Sequence, residues 1–167
     1  MEILDYIQRG GIIVYILIFL NILGFTIILW KLIVFTLIKF KKRLIVEHIV
    51  NKLSLSTNKF EERSFNNLLN KEIYDLETGL NTIKIIASIS PLLGLLGTVI
   101  GVLNSFDAIS KLGLGNPSIF SAGISIALIT TVAGLIVSIP HYIAYNYFIS
   151  SLNKLEHSIE ESVINKL

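Results

Sequence analysis

Thr98 lies in the stretch ASISPLLGLLGTVIGVLNSF, residues 87–106, which carries no charge. Thr130 and Thr131 lie in a second such stretch, SAGISIALITTVAGLIVSIPHYIAYNYF, residues 121–148. A threonine hydroxyl both donates and accepts a hydrogen bond. In an apolar helix it has two uses. It can bond its own i−4 carbonyl and do nothing more, or it can line a narrow polar path for water or ions. Other chemistry is poorly served. The chain has no cysteine, which excludes a disulfide framework, a zinc–thiolate centre and a thiol nucleophile. His48, His141 and His157 are far apart with no metal-ligand spacing, and no carboxylate pair sits at membrane depth. The chain is therefore not expected to be an enzyme, and neither a metal site nor a cofactor is expected.

The elements that must position these threonines are membrane spans. The chain is 53% hydrophobic over 167 residues, and its mean hydropathy of +0.72 is far from that of an ordinary soluble domain. The net charge of +2 leaves no nucleic-acid footprint. Three apolar runs, at about 11–38, 83–107 and 118–149, each exceed the roughly 20 residues that a bilayer core requires. In lipid their backbones must be helical. Lys31 is the one charged residue of the first run and is expected to snorkel to the headgroups. Lys39, Lys41, Lys42 and Arg43 follow that run closely. The positive-inside rule then puts the N-terminus outside, residues 39–82 in the cytoplasm, and the C-terminal residues 150–167 in the cytoplasm as well.

Within 39–82, apolar residues recur at helical spacing: Leu44, Ile45, Ile49 and Leu53, then Phe65, Leu68, Leu69, Ile73 and Leu76. This pattern predicts a cytoplasmic helical hairpin, with Ser56 or Thr57 capping its second helix. The tail carries Leu152, Leu155, Ile159, Val163 and Leu167 at spacings of three and four, so an amphipathic helix should continue from span three. No linker divides the chain, and 1–167 reads as a single all-α integral membrane domain with three spans.

On a helical wheel Ala87, Ser90, Pro91, Gly94, Gly97, Thr98, Gly101 and Ser105 share a sector about 120° wide. In span three Gly123, Ala127, Thr130, Thr131, Gly134, Ser138 and His141 share about 100°. Gly94, Gly97, Gly101, Gly123 and Gly134 are expected to let helix backbones approach closely. Pro91 is either a tolerated kink or a hinge. Neither face carries a mid-membrane Asp, Glu, Lys or Arg, although ion-coupled machines usually need a titratable group there. A proton path here would be passive or would borrow its acid from another protein. Asp107 ends span two, and His141 falls at the inner interface.

The motif P-x-x-G-x-x-G-T-V-x-G of SISPLLGLLGTVIGVLNSF (88–106), paired with SAGISIALITTVAGLIVSIP at the start of the second stretch, resembles the ExbB/TolQ/MotA proton-channel family, and its ExbB and TolQ branches in particular. The resemblance implies a homo-oligomer, a pentamer, in the bacterial inner membrane, with spans two and three around a central pore. It implies a single-span partner of the ExbD/TolR type that supplies a membrane aspartate. The proton-motive force would then power TonB- or TolA-type proteins acting on the outer membrane. The family's two pore threonines match Thr98 and Thr131, with Thr130 beside them. One departure stands out: the family's span-three glutamate is Ile126 here. The expected function is thus an ExbB-like proton-channel subunit for TonB-dependent uptake. The alternatives are a TolQ-like subunit of a Tol-Pal complex and a structural scaffold with no ion path. The topology is open to direct test. Single cysteines at Ser56 and Gly115 should label from the cytoplasmic and outer faces respectively; labelling of both from one side would refute three spans.

Overall fold

The computed structural model describes residues 3–54, 62–113 and 117–164. Ser56, Thr57, Gly115 and Leu167 lie outside these residues, as do the side chains of 39–45 and of Ile49, Leu53, Phe65 and Leu68. The described elements are four helices: α1 (Ile3–Ser54), α2 (Glu62–Glu77), α3 (Leu80–Leu112) and α4 (Pro117–Ile164). Three of them hold segments long and apolar enough to cross a membrane, Leu4–Ile38, Leu80–Lys111 and Phe120–Val163. Helices are the form that leaves no unpaired backbone amide in lipid. Large side chains opposite the small-residue face of α3, such as Leu92, Leu95, Leu96, Val99 and Leu103, are exposed. α1 breaks once, at Gly11, whose φ of 61° and ψ of −153° are open essentially to glycine alone.

The described residues form two compact units: Met1–Thr26 with Thr82–Ile143, and Ile27–Asn81 with Ala144–Leu167. The core of the first unit is Ile13, Leu17, Ile86 and Val137, with Leu20, Leu23, Leu93 and Ala133 packed against it. The small-residue faces of α3 and α4 belong to this unit.

The core of the second unit is Val46, Leu69, Ile159 and Val163, with Ile73 and Leu155 against it. The apolar stripe expected of the tail is therefore buried against residues of α1 and α2. Burying a side chain of this size stabilises by about 1.5–3 kcal/mol. Phe148 is also buried, with its ring 5.3 Å from that of Phe35.

Lys31 departs from the expectation. Its side chain is 1% exposed, and its Nζ donates to the carbonyl of Leu76 at 2.8 Å. The ammonium also lies 5.0 Å from the centre of the Trp30 ring. The cause is the end of α2. The last carbonyls of a helix have no donor within it and carry the negative end of its dipole. The break between α2 and α3 uses Gly79 at φ 87°, a left-handed conformation that favours glycine, and the Lys31 stem packs beside it, its Cε in ordinary contact at 3.6 Å from where a Cβ would lie. Lys31 thus closes the end of α2 from within the protein instead of reaching for headgroups. Lys31→Met keeps the stem and removes the donor, leaving the Leu76 carbonyl without its partner, a loss of about 1–3 kcal/mol. Amide exchange around residues 74–80 should speed up in that variant and return towards the parent rate in Lys31→Arg; unchanged exchange in Lys31→Met would show that the bond contributes nothing.

Candidate functional site

The small-residue faces of α3 and α4 meet each other. A Cβ added at Gly94 would lie 2.8 Å from the Thr130 carbonyl oxygen and 3.1 Å from the Thr131 Cα. At Gly101 it would lie 2.7 Å from the Gly123 carbonyl oxygen, and at Gly134 2.6 Å from that of Ser90. These neighbours are backbone and cannot rotate away. At Gly97 the neighbour is the Thr130 side chain, whose Cβ would be 2.5 Å away. At Gly123 an added Cβ would overlap the Ser105 hydroxyl. The five glycines singled out in the sequence therefore line one seam inside the chain, and every partner named here comes from the chain's own α3 or α4.

Close approach brings the hydroxyls of one helix within reach of the carbonyls of the other. Thr98 Oγ1 and Thr131 Oγ1 are 2.5 Å apart. Thr98 Oγ1 is also 3.1 Å from the Ala127 carbonyl across the seam and 3.2 Å from the Gly94 carbonyl of its own helix. Thr131 Oγ1 reaches the Gly94 carbonyl at 3.4 Å. Two hydroxyl protons serve four oxygens here. Thr131 can donate to Thr98 while Thr98 donates to the Ala127 carbonyl, or Thr98 can donate to Thr131 while Thr131 donates to the Gly94 carbonyl. Both directions satisfy the hydroxyls, so the pair can reverse its polarity without losing a bond. Both threonines are half-buried. Thr130 is different: it is 1% exposed, donates to the Ala127 carbonyl at 2.9 Å and fills the notch left by Gly97.

The remaining residues of the two faces extend the seam. Ser105 Oγ donates to the Gly101 carbonyl at 3.0 Å and lies 3.4 Å from that of Phe120. Ser138 Oγ donates to the Ala87 carbonyl at 2.5 Å. Pro91 lies inside an unbroken α3. Ile126, where the family's glutamate would stand, is half-buried. Asp107 pairs with Lys111 at 2.6 Å, and both are well exposed, so this pair contributes little to stability. Among the described residues no three His, Asp or Glu side chains gather as metal ligands.

His141 is fully buried. Its Nδ1 lies 2.7 Å from the Val137 carbonyl, and a carbonyl only accepts, so that nitrogen carries the proton. Nε2 has no hydrogen-bond partner. The imidazole lies against Gly24 of α1, where an added Cβ would overlap Nε2, and the Phe25 ring meets it edge-on at 5.2 Å. Two relationships escaped the sequence reading: Gly24 under His141, and Ser138 on the carbonyl four residues before Pro91. Each joins residues on different helices, and the signal available was only a glycine or serine in an apolar run.

The seam makes a stability prediction. Gly101→Ala and Gly134→Ala each drive a methyl into backbone and should cost about 1–3 kcal/mol. Val99→Ala on the exposed face should cost much less. Thermal unfolding in mild detergent reads the difference; equal midpoints for all three variants would show that the two helices are not held at this separation.

The model of the MotA/TolQ/ExbB proton channel family matches residues 39–161. The chain is similar to the Tol-Pal system protein TolQ of Haemophilus influenzae, 37% identical over 94 residues, which cover 56% of this chain and 41% of that protein. It is similar to the biopolymer transport protein ExbB of Aquifex aeolicus, 37% identical over 102 residues, 61% of this chain and 67% of that one. It is also 37% identical over 78 residues to ExbB of Pseudomonas putida, 47% of this chain and 24% of that protein. The chain thus spans less than half the length of two of these three relatives, and TolQ and ExbB match it at the same identity. With the family pattern running from the end of the first apolar run through the threonine seam and into the tail, the chain belongs to the MotA/TolQ/ExbB proton channel family.

Proposed function

We propose that this chain is a proton-channel subunit of an inner-membrane energy-transducing complex of the ExbB type, which uses the proton-motive force to power TonB-dependent uptake across the outer membrane. The observation that carries this reading is the reversible hydroxyl pair of Thr98 and Thr131 at the α3–α4 seam. It offers a proton-relaying contact in segments that contain no mid-membrane acid. The missing acid supports a single-span partner of the ExbD/TolR type that carries a membrane aspartate. A homopentamer, with Thr98 and Thr131 on the pore side of the seam and Thr130 packed behind them against Gly97, would present that partner with a ring of such pairs. The lysine cluster after the first span supports an outside N-terminus, with residues 39–82 as a cytoplasmic hairpin and a cytoplasmic C-terminus. A TolQ-like role, with a TolA-type protein as the energised partner, draws support from the equal identity to TolQ. A scaffold without an ion path draws support from the glycines, which face the chain's own helices.

Thr→Val nearly keeps shape and removes the hydroxyl, so it separates relay from packing. In Thr98→Val, Thr131→Val and the double variant, assembly with the partner should persist while energy-dependent uptake falls. Loss of a hydrogen bond to a buried charge-bearing group costs on the order of 1–3 kcal/mol, roughly ten- to a hundredfold in a rate-limiting step. Full uptake by the double variant, at normal levels of the complex, would reject the proton path and leave the scaffold. A defect in Tol-dependent envelope integrity with uptake intact would move the assignment to the TolQ role.

A further inference from the structure

Pro91 lies inside α3. A proline has no amide proton, so the carbonyl four residues earlier loses its helical donor. That carbonyl is Ala87, and Ala87 is 4% exposed. Left alone it would be a buried acceptor without a partner, and α3 would be free to bend there. It is not left alone: Ser138 of α4, itself 9% exposed, places Oγ 2.5 Å from the Ala87 oxygen. The bond that the proline removes from within α3 is remade from α4. Nearby, the Ser90 hydroxyl bonds the Ile86 carbonyl of its own helix, and the Ser90 carbonyl oxygen lies 2.6 Å from where a Cβ at Gly134 would be. The crossing bond therefore sits in a tightly packed stretch of the seam.

We propose that Ser138 is a positioning residue that sets the Thr98–Thr131 contact by standing in for the amide that Pro91 lacks. The spacing supports this. Pro91 precedes Thr98, and Thr131 precedes Ser138, by about two helical turns in each case, or ~10 Å. The proline joint and its cross-helix tie therefore lie on the same faces as the two hydroxyls, at a common distance from them. If the tie breaks, α3 can pivot at Pro91. Over a lever of ~10 Å a bend of about 6° moves Thr98 by ~1 Å, enough to open a hydrogen bond. Pro91 is thus a joint whose angle is set by α4. The geometric claim stands by itself; only its importance for transport rests on the proton-path reading above.

The chain has no native cysteine, so Thr98→Cys/Thr131→Cys gives a clean proximity probe. The measurement is the rate of disulfide formation in membranes from cells that express the full chain with its partners. On this background Ser138→Ala should slow cross-linking about tenfold, and Ser138→Thr, which keeps a hydroxyl, should restore it. Pro91→Ala returns an amide donor to the Ala87 carbonyl, so adding Ser138→Ala to Pro91→Ala should change the rate less than twofold. A side chain that only fills space would show the same Ser138→Ala defect with or without the proline. Equal rates in parent and Ser138→Ala, or a Ser138→Ala defect that Pro91→Ala leaves intact, overturn the proposal. Should Ser138→Ala fail to accumulate, recovery of the protein by Pro91→Ala supports it and continued failure overturns it. Because no step reads transport, a negative result here leaves the proton-path question separate, and loss of uptake in the valine variants leaves this one separate.

Discussion

The first compact unit depends on how closely two helix backbones can approach where lipid surrounds them. In water, apolar faces are driven together by the solvent. In a bilayer that force is nearly absent between helices, and attraction must come from packing and from polar contacts. Glycine supplies the first by removing the outermost atom of the helix surface. At Gly94, Gly101 and Gly134 the facing atoms are backbone, so the two main chains are nearly in contact. Everything polar in the seam follows from that separation. Thr98 reaches the Ala127 carbonyl and Ser138 the Ala87 carbonyl because each main chain lies within one short side chain of the other.

This arrangement gives the small residues two roles that cannot be pulled apart by composition. The same glycines that pack the helices also set the distance between the hydroxyls. A larger residue at Gly97 would displace Thr130, which in turn shares the Ala127 carbonyl with Thr98. Packing and polarity are thus coupled through single carbonyl oxygens. The absence of any mid-membrane carboxylate or ammonium on these faces is part of the same design, since a charge there would need solvating partners that so narrow a seam has no room for.

Much of this was legible in the sequence. Helical periodicity put Ala87, Ser90, Gly94, Gly97, Gly101 and Ser105 on one face, and all six are buried. It likewise put Gly123, Ala127, Thr130, Gly134, Ser138 and His141 on one face, and these are buried too. The stripe of the tail was legible for the same reason: Ile159 and Val163 repeat at a spacing that only one helical face can collect. What periodicity cannot tell is which atom lies opposite. Lys31 was read from its chemistry alone, as a cation close to headgroups, because nothing in the sequence says that the end of α2 comes to meet it. The tie between Ser138 and Ala87 was hidden for a similar reason. The vacancy that Pro91 makes is local and readable, but its filler comes from a residue 47 positions later.

Gly24 and His141 carry a consequence for how this sequence can change over generations. The imidazole occupies the space where a side chain at position 24 would begin. The two positions therefore form a single heritable unit with a preferred order of steps. Shrinking residue 141 first and then enlarging residue 24 avoids that overlap. The opposite order passes through an overlap with the buried imidazole. Among descendants of such a chain, a side chain at position 24 and a ring at position 141 should seldom occur together, and the history of one position can be read from the other.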